Sequence, residues 1–165
     1  DLGLLVTPLN DNMFNEIPIY YEELLLYSNA TSNDEVVKEI KPELLWLLED
    51  GHCLSNQINF ICSLRNLKNK SNNFIYKSGS LETIVRLAKD SNGQTIVPRM
   101  VLDYLPEDIK NHIFPVLPVI PYREISIVHS QSFVRKATLR VIMDEILKVV
   151  PLDWTKKNDR IIIPI

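Results

Sequence analysis

The hydrophobic period of this chain changes abruptly at His52, and that change constrains the fold more than any other feature. Leu44-Leu-Trp-Leu-Leu48 is an unbroken apolar run, the pattern of a strand buried on both faces. Glu49-Asp-Gly51 breaks it. Leu54, Ile58, Ile61 and Cys62 then recur at i, i+4, i+7 and i+8, which predicts one face of a helix running to about Leu67.

The same alternation extends along the chain. Asp1–Thr7 reads as a buried strand, and Ile17–Tyr27 as an extended stretch that Pro18 places at an edge or a crossover. Val36–Glu43 is broken by Pro42 and is good for one helical turn. Phe74-Ile-Tyr76 is a short strand candidate. Ser80 is an N-cap candidate, with Glu82 in the first turn and Leu81, Ile84, Val85 and Ala88 as the apolar stripe of a helix ending near Asn92-Gly93. Thr95-Ile-Val97 and Glu124–Val128 are strands, and Ile113–Ile120, with Pro115 and Pro118, is an edge or connector. Phe133–Val150 carries Val134, Thr138, Val141, Ile142, Ile146 and Val149 at helical spacing, with Arg135, Lys136, Arg140 and Lys148 outside. Arg160–Ile163 is a lone β-prone run. Strands alternating with helices predict an α/β fold with a mainly parallel sheet.

Composition narrows the function classes. The 165 residues suit one domain or two small lobes. Lys and Arg number 18 against 21 Asp and Glu, a net charge of −3, so the surface has no general attraction for nucleic acid phosphates. No apolar run reaches the roughly 18 residues of a spanning helix, so no membrane partner is expected. The chain opens at Asp1 with no basic leader and reads as a fragment of something longer. Two cysteines, Cys53 and Cys62, are too few for a stapled extracellular scaffold, and a reducing cytosol is the default compartment.

The cysteine pair carries the chemistry. Cys53 falls at a strand-to-helix turn, where free N–H groups and the positive end of the helix dipole favour a thiolate. His52 beside it can add a charge or a proton donor. The same position also suits a small apolar residue packed in a core, where most free cysteines lie. Nine residues of unbroken helix separate the two Cα atoms by roughly 13 Å along the axis and place them on opposite faces. A disulfide needs Cα atoms within roughly 7 Å. The pair therefore cannot bond while the helix stands. Either it stays reduced and inert, or its oxidation costs the local fold and the fold change is the output.

Trp46-Leu-Leu-Glu-Asp-Gly-His-Cys53, followed by Gln57 and Cys62, resembles the redox segment of the peroxide-sensing LysR-type transcriptional regulators. Ser80-Leu-Glu-Thr83, Gly93, Thr95-Ile-Val-Pro98 and Pro121-Tyr-Arg123 are similar to later landmarks of LysR-type effector domains. The resemblance implies a periplasmic-binding-protein-like effector domain of two α/β lobes. Residues 1–17 and 121–165 would be a remnant of the first, incomplete lobe. Residues 18–120 would be the second lobe, with the redox segment at 49–67. It implies that Cys53 is the peroxide-reactive cysteine, Cys62 the resolving one, His52 its neighbouring histidine and Arg123 an arginine that polarises bound hydrogen peroxide. It further implies a homodimer or homotetramer, DNA contact through a helix-turn-helix domain that this sequence does not contain, contact with RNA polymerase, and a cytoplasmic, non-enzymatic regulator without cofactor. Ser55 and Asn56 stand where the family commonly has Arg-Asp.

Other readings remain. The cleft between lobes could hold a small metabolite, with Ser78 and Ser80 lining it at a helix N-terminus, although Ser80 serves equally well as a simple cap. A thiol peroxidase is disfavoured because a refolding step slows turnover. A metal site is weakest: His52, Cys53 and Cys62 lack ligand spacing, and His112 and His129 lie in unrelated segments. Trp46 is expected in the core, His129 packed or solvated, and Trp154 against the body or a partner chain.

Overall fold

The computed structural model describes residues 1–9, 11–32, 35–49, 52–64 and 80–165. In chain order these form β1 (Leu2–Thr7), β2 (Phe14–Ser28), β3 (Thr31–Ser32), β4 (Glu35–Val36), α1 (Cys53–Leu64), α2 (Leu81–Asp90), β5 (Gln94–Pro98), α3 (Glu107–Lys110), β6 (Ile113–Pro115), β7 (Pro121–Ser130), α4 (Lys136–Val149) and β8 (Ile161–Ile162). Short 3-10 turns lie at Pro42–Leu44, Arg99–Tyr104 and Leu152–Thr155. The chain divides into two compact units, Asp1–Glu22 with Tyr122–Ile165, and Glu23–Pro121. β2 begins in the first and ends in the second. Among the described residues no helix is long and apolar enough to cross a membrane.

In the first unit, β7 lies between β1 and β2. β1 and β7 are antiparallel, with Leu2 opposite His129 and Thr7 opposite Glu124. The two-residue period sorts their side chains. Val6, Ile125 and Ile127 join Ile19, Tyr20, Leu139 and Val150 in one apolar cluster. Thr7, Glu124 and Ser126 take the other face. There the Thr7 hydroxyl donates to Glu124 Oε1 at 2.8 Å and lies 2.5 Å from the Ser126 hydroxyl. β8 pairs with β7, and the Ile163 N–H donates to the Tyr122 carbonyl at 2.7 Å. Trp154 packs beside Tyr20, ring centroids 6.2 Å apart. His129 is held by Phe133 at 5.3 Å and by a 2.7 Å contact from Nδ1 to the Ser130 carbonyl.

α4 corrects the expected inward face. Val134, Val141 and Val149 are 85%, 60% and 81% exposed, whereas Leu139 is buried and Met143 and Ile146 pack beside it. This helix is apolar on two sides, so spacing alone does not say which side turns inward. The row that packs into the cluster is Leu139, Met143 and Ile146, at i, i+4 and i+7, and of the expected stripe Ile146 belongs to it.

In the second unit, the last residues of β2 lie between β5 and β6, both antiparallel to it, with Leu25 opposite Val97 and Pro115. Val85 and Ala88 of α2 pack with Leu25, Tyr27, Val97, Leu105 and Ile109. Ser80 caps α2, its side chain accepting from the Thr83 N–H at 3.4 Å. At the other end Asn92 has φ 52°, and the Gly93 N–H closes back on the Ala88 carbonyl at 2.7 Å, a Schellman ending. Gln94, fully buried, ties the 37–41 segment down. Its amide donates to the carbonyls of Val37 (3.1 Å) and Glu39 (2.8 Å), and its Oε1 accepts from the Lys41 N–H at 2.8 Å.

Two expectations about strands are corrected. The sheet is not mainly parallel: β1–β7, β2–β5 and β2–β6 are antiparallel, as is the separate β3–β4 pair, and Leu45 and Gln94 form an isolated parallel bridge. Two helices, α1 and α2, separate β2 from β5, so the chain re-enters beside β2 reversed. Leu44–Leu48 is not a strand either. The Trp46 N–H donates to the Gln94 carbonyl at 2.8 Å, but the Trp46 carbonyl accepts from the Thr95 hydroxyl at 3.0 Å, so no backbone ladder propagates. The strand candidate at Phe74–Tyr76 and the expected helix end at 65–67 lie outside the described residues.

Candidate functional site

Both cysteines belong to α1, and neither is in a disulfide. Three contacts hold the start of this helix. The His52 carbonyl accepts from the Ser55 N–H at 2.9 Å and from the Asn56 N–H at 3.3 Å, so His52 occupies the N-cap position. The Ser55 hydroxyl donates to the Leu48 carbonyl at 3.1 Å. Leu48 in turn ends the segment docked on β5 through Trp46, whose indole lies against Gly93. A Cβ built on Gly93 would sit 2.6 Å from Trp46 Nε1, so only glycine admits this approach.

The helix is two-sided. Leu54, Ile58, Ile61 and Cys62 are buried, as their spacing predicts, and Cys62 is 1% exposed. Ser55 and Gln57, polar residues, are buried with them. Cys53, the first residue of α1, is partly exposed, and so is His52. At 1.5 Å and 100° per residue, nine positions place the two Cα atoms roughly 13 Å apart along the axis and on opposite sides. That is well beyond disulfide range.

Arg123 belongs to the first unit, on β7. Its Nε and Nη2 both reach Glu22 Oε2, at 2.7 and 2.6 Å, and the Glu22 side chain is fully buried while that of Arg123 is 18% exposed. The carboxylate removes two of the guanidinium's five N–H donors and fixes its plane. Beside it, burial pushes the Tyr20 hydroxyl above its ordinary pKa, the Glu22 charge adds to that, and Arg123 opposes it. On the other face, burial likewise raises Tyr21, helped by the charge of Glu124 and a hydrogen bond to it.

Of the residues singled out from the sequence, α1 brings Cys53 and Cys62 onto one element, with His52 at its cap. Ser80 is in the second unit and serves as the α2 cap. Ser78 lies outside the described residues. No group of three or more His, Cys, Asp or Glu among the described residues could hold a metal ion. Glu22 was missed. The signal was there, a carboxylate within the apolar run of β2, where an unpaired charge is costly.

Residues 1–151 match the LysR substrate binding domain, and the chain belongs to that family. A hydrogen peroxide-inducible genes activator of Haemophilus influenzae is 26% identical over 78% of this chain and 44% of its own length. The HTH-type transcriptional regulator EstR of Acinetobacter baylyi is 24% identical over 90% of this chain and 50% of its own. The chain thus spans about half the length of these curated relatives. The crystal structure of OxyR from Porphyromonas gingivalis shares the fold with a TM-score of 0.76, at 23% identity, over 99% of this chain and 76% of that one.

Proposed function

We propose that this chain is the redox-sensing regulatory domain of a hydrogen-peroxide-responsive LysR-type transcription factor. The observation that carries the reading is the placement of two cysteines, both as thiols, on one helix, one partly exposed at its first residue and one buried nine positions on. The two units are read as two lobes of an effector domain, the first incomplete.

The chemistry balances as two steps. The Cys53 thiolate attacks the O–O bond of hydrogen peroxide and becomes a sulfenic acid; the departing hydroxide takes a proton and leaves as water. The Cys62 sulfur then attacks the sulfenic sulfur, the S–O bond breaks, and a second water leaves as the S–S bond forms. Two thiols lose two electrons and one peroxide is reduced. In this reading His52, at the cap beside Cys53, hydrogen-bonds the leaving oxygen, whereas Arg123 belongs to the other unit and is paired with Glu22.

The second step requires α1 to unwind. Closing a loop of about ten residues constrains the unwound chain by a few kcal/mol. Local opening of a short segment costs a further few kcal/mol. Both costs oppose the bridge and both are small, so reduction of the peroxide can drive the closure and reductant can reverse it. The refolded segment is the signal. It passes to a DNA-binding helix-turn-helix of the longer protein, acting in the cytoplasm as a homodimer or homotetramer in contact with RNA polymerase, with no turnover as an enzyme.

Peptide mapping before and after one equivalent of hydrogen peroxide tests this. A Cys53–Cys62 linked peptide is expected, and Cys62→Ser should instead stop at Cys53 sulfenic acid, trapped by dimedone. Cys53 sulfonic acid with no linked peptide contradicts the switch. A second reading, a metabolite-binding effector domain with incidental cysteines, draws on the similarity to EstR, a regulator whose name carries no reference to peroxide. Oxidant-independent thermal stabilisation by a small carboxylate or aromatic compound would favour it.

A further inference from the structure

We propose that Ser55 is a positioning residue that latches the redox helix and sets how fast the disulfide closes. The inference rests on the reading of Cys53 and Cys62 as a peroxide switch. Its ground is the local geometry. Ser55 is 3% exposed, and its hydroxyl donates to the Leu48 carbonyl at 3.1 Å, outside the helix. Its own N–H bonds to the His52 carbonyl at 2.9 Å. One residue thus ties the first turn of α1 both to its cap and to the segment before it.

That segment is anchored. Leu48 is 4% exposed, and two residues earlier Trp46 bonds to β5 through its N–H and its carbonyl and fills the space over Gly93. The hydroxyl therefore ties α1 to a part of the fold that has no reason to move. Hydrogen bonds inside the helix differ in kind. Ser63 donates to the Phe60 carbonyl at 2.7 Å, and that contact travels with the helix. When α1 unwinds to bring the sulfurs together, the Ser55–Leu48 bond stretches across the boundary between fixed and moving chain. Releasing it leaves a buried carbonyl without that donor until water reaches it.

The latch acts on the second oxidative step only. Attack of the Cys53 thiolate on hydrogen peroxide takes place with α1 folded and breaks no bond of Ser55. Attack of Cys62 on the Cys53 sulfenic acid, releasing water, needs the open segment and so scales with its population. A side-chain hydrogen bond of ordinary net strength, about 1 kcal/mol, changes that population about fivefold at 1.4 kcal/mol per decade.

The test is rapid-quench mass spectrometry on the whole chain, following sulfenic acid and disulfide separately after hydrogen peroxide addition. Ser55→Ala should form sulfenic acid at the wild-type rate and close it to the disulfide about fivefold faster. Ser55→Thr, which keeps the hydroxyl, should close at the wild-type rate. Ser91→Ala, which removes a similar hydroxyl-to-carbonyl bond (2.7 Å to Leu87) from α2, should lower stability and leave closure unchanged. Unchanged or slower closure in Ser55→Ala overturns the latch, as does an equal change in both steps or a Ser91→Ala effect of the same size. If Ser55→Ala does not fold, the Thr variant decides: closure several-fold faster than wild type overturns the proposal. Wild-type chain that never forms the disulfide refutes the underlying switch instead, so the two failures are distinct.

Discussion

Removing the Arg123 side chain from its buried partner is the sharpest perturbation the first unit offers. Glu22 is fully enclosed, and both guanidinium contacts converge on its Oε2 at 2.6 and 2.7 Å. Arg123→Met keeps most of the aliphatic volume and leaves a buried carboxylate without this cation. Breaking one side of a buried pair typically costs about 3–5 kcal/mol, because the remaining charge is desolvated and uncompensated. With Arg123 18% exposed, water can partly replace it, which favours the lower end, about 3 kcal/mol. At about 2–4 °C per kcal/mol for a chain of this size, the melting temperature should fall by at least about 6 °C. Glu22→Met with Arg123→Met removes both charges and should recover most of the loss. The assay is urea unfolding followed by tryptophan fluorescence in a Trp46→Phe background. There Trp154, packed beside Tyr20, reports on the first unit. A single variant that loses under about 1 kcal/mol, or a double variant as unstable as the single, would refute the reasoning.

Two further outcomes follow from the second unit. Gly93→Ala places a methyl 2.6 Å from the Trp46 indole nitrogen, and overpacking of this kind costs about 1–3 kcal/mol; urea unfolding with Trp46 emission checks it, and an unchanged midpoint contradicts the close approach. Burial first, then the charges of Asp108 and Asp90, push the Tyr27 hydroxyl up to about 12 from 10.0. Its folded pKa is raised, so its share of stability is complete below about pH 10 and is lost as pH rises toward 12. The loss amounts to about 2–3 kcal/mol. Tyr27→Phe should flatten that alkaline decline in a pH series of urea midpoints, and an identical decline in both chains contradicts it.

Much of this architecture is legible in the residues, and the failures have physical causes. The stripe of α2 and its Ser80 cap follow directly from helical spacing, because that helix is apolar on one side only. α4 is apolar on two sides, so its inward face depends on the sheet it meets. Leu44–Leu48 has the composition of a strand, yet its pairing depends on a distant hydroxyl, Thr95, that local pattern cannot register. The antiparallel pairing of β2 with β5 and β6 is likewise a property of the path between them. In the candidate site, the nine-residue spacing and the helical period already place the two sulfurs apart. The partner of Ser55 in the second unit, Leu48, and that of Arg123 in the first, Glu22, lie seven and 101 positions away and are visible only in the fold.

Hydrogen–deuterium exchange across residues 53–64 measures the central claim most directly. The chain is compared after reduction with dithiothreitol and after stoichiometric oxidation by hydrogen peroxide. Joining two sulfurs held on opposite sides of an intact helix requires that helix to come apart, so the amides of this segment should be protected in the reduced chain and exchange freely once the bridge has formed. A bridged chain whose 53–64 amides keep their full protection would contradict the account.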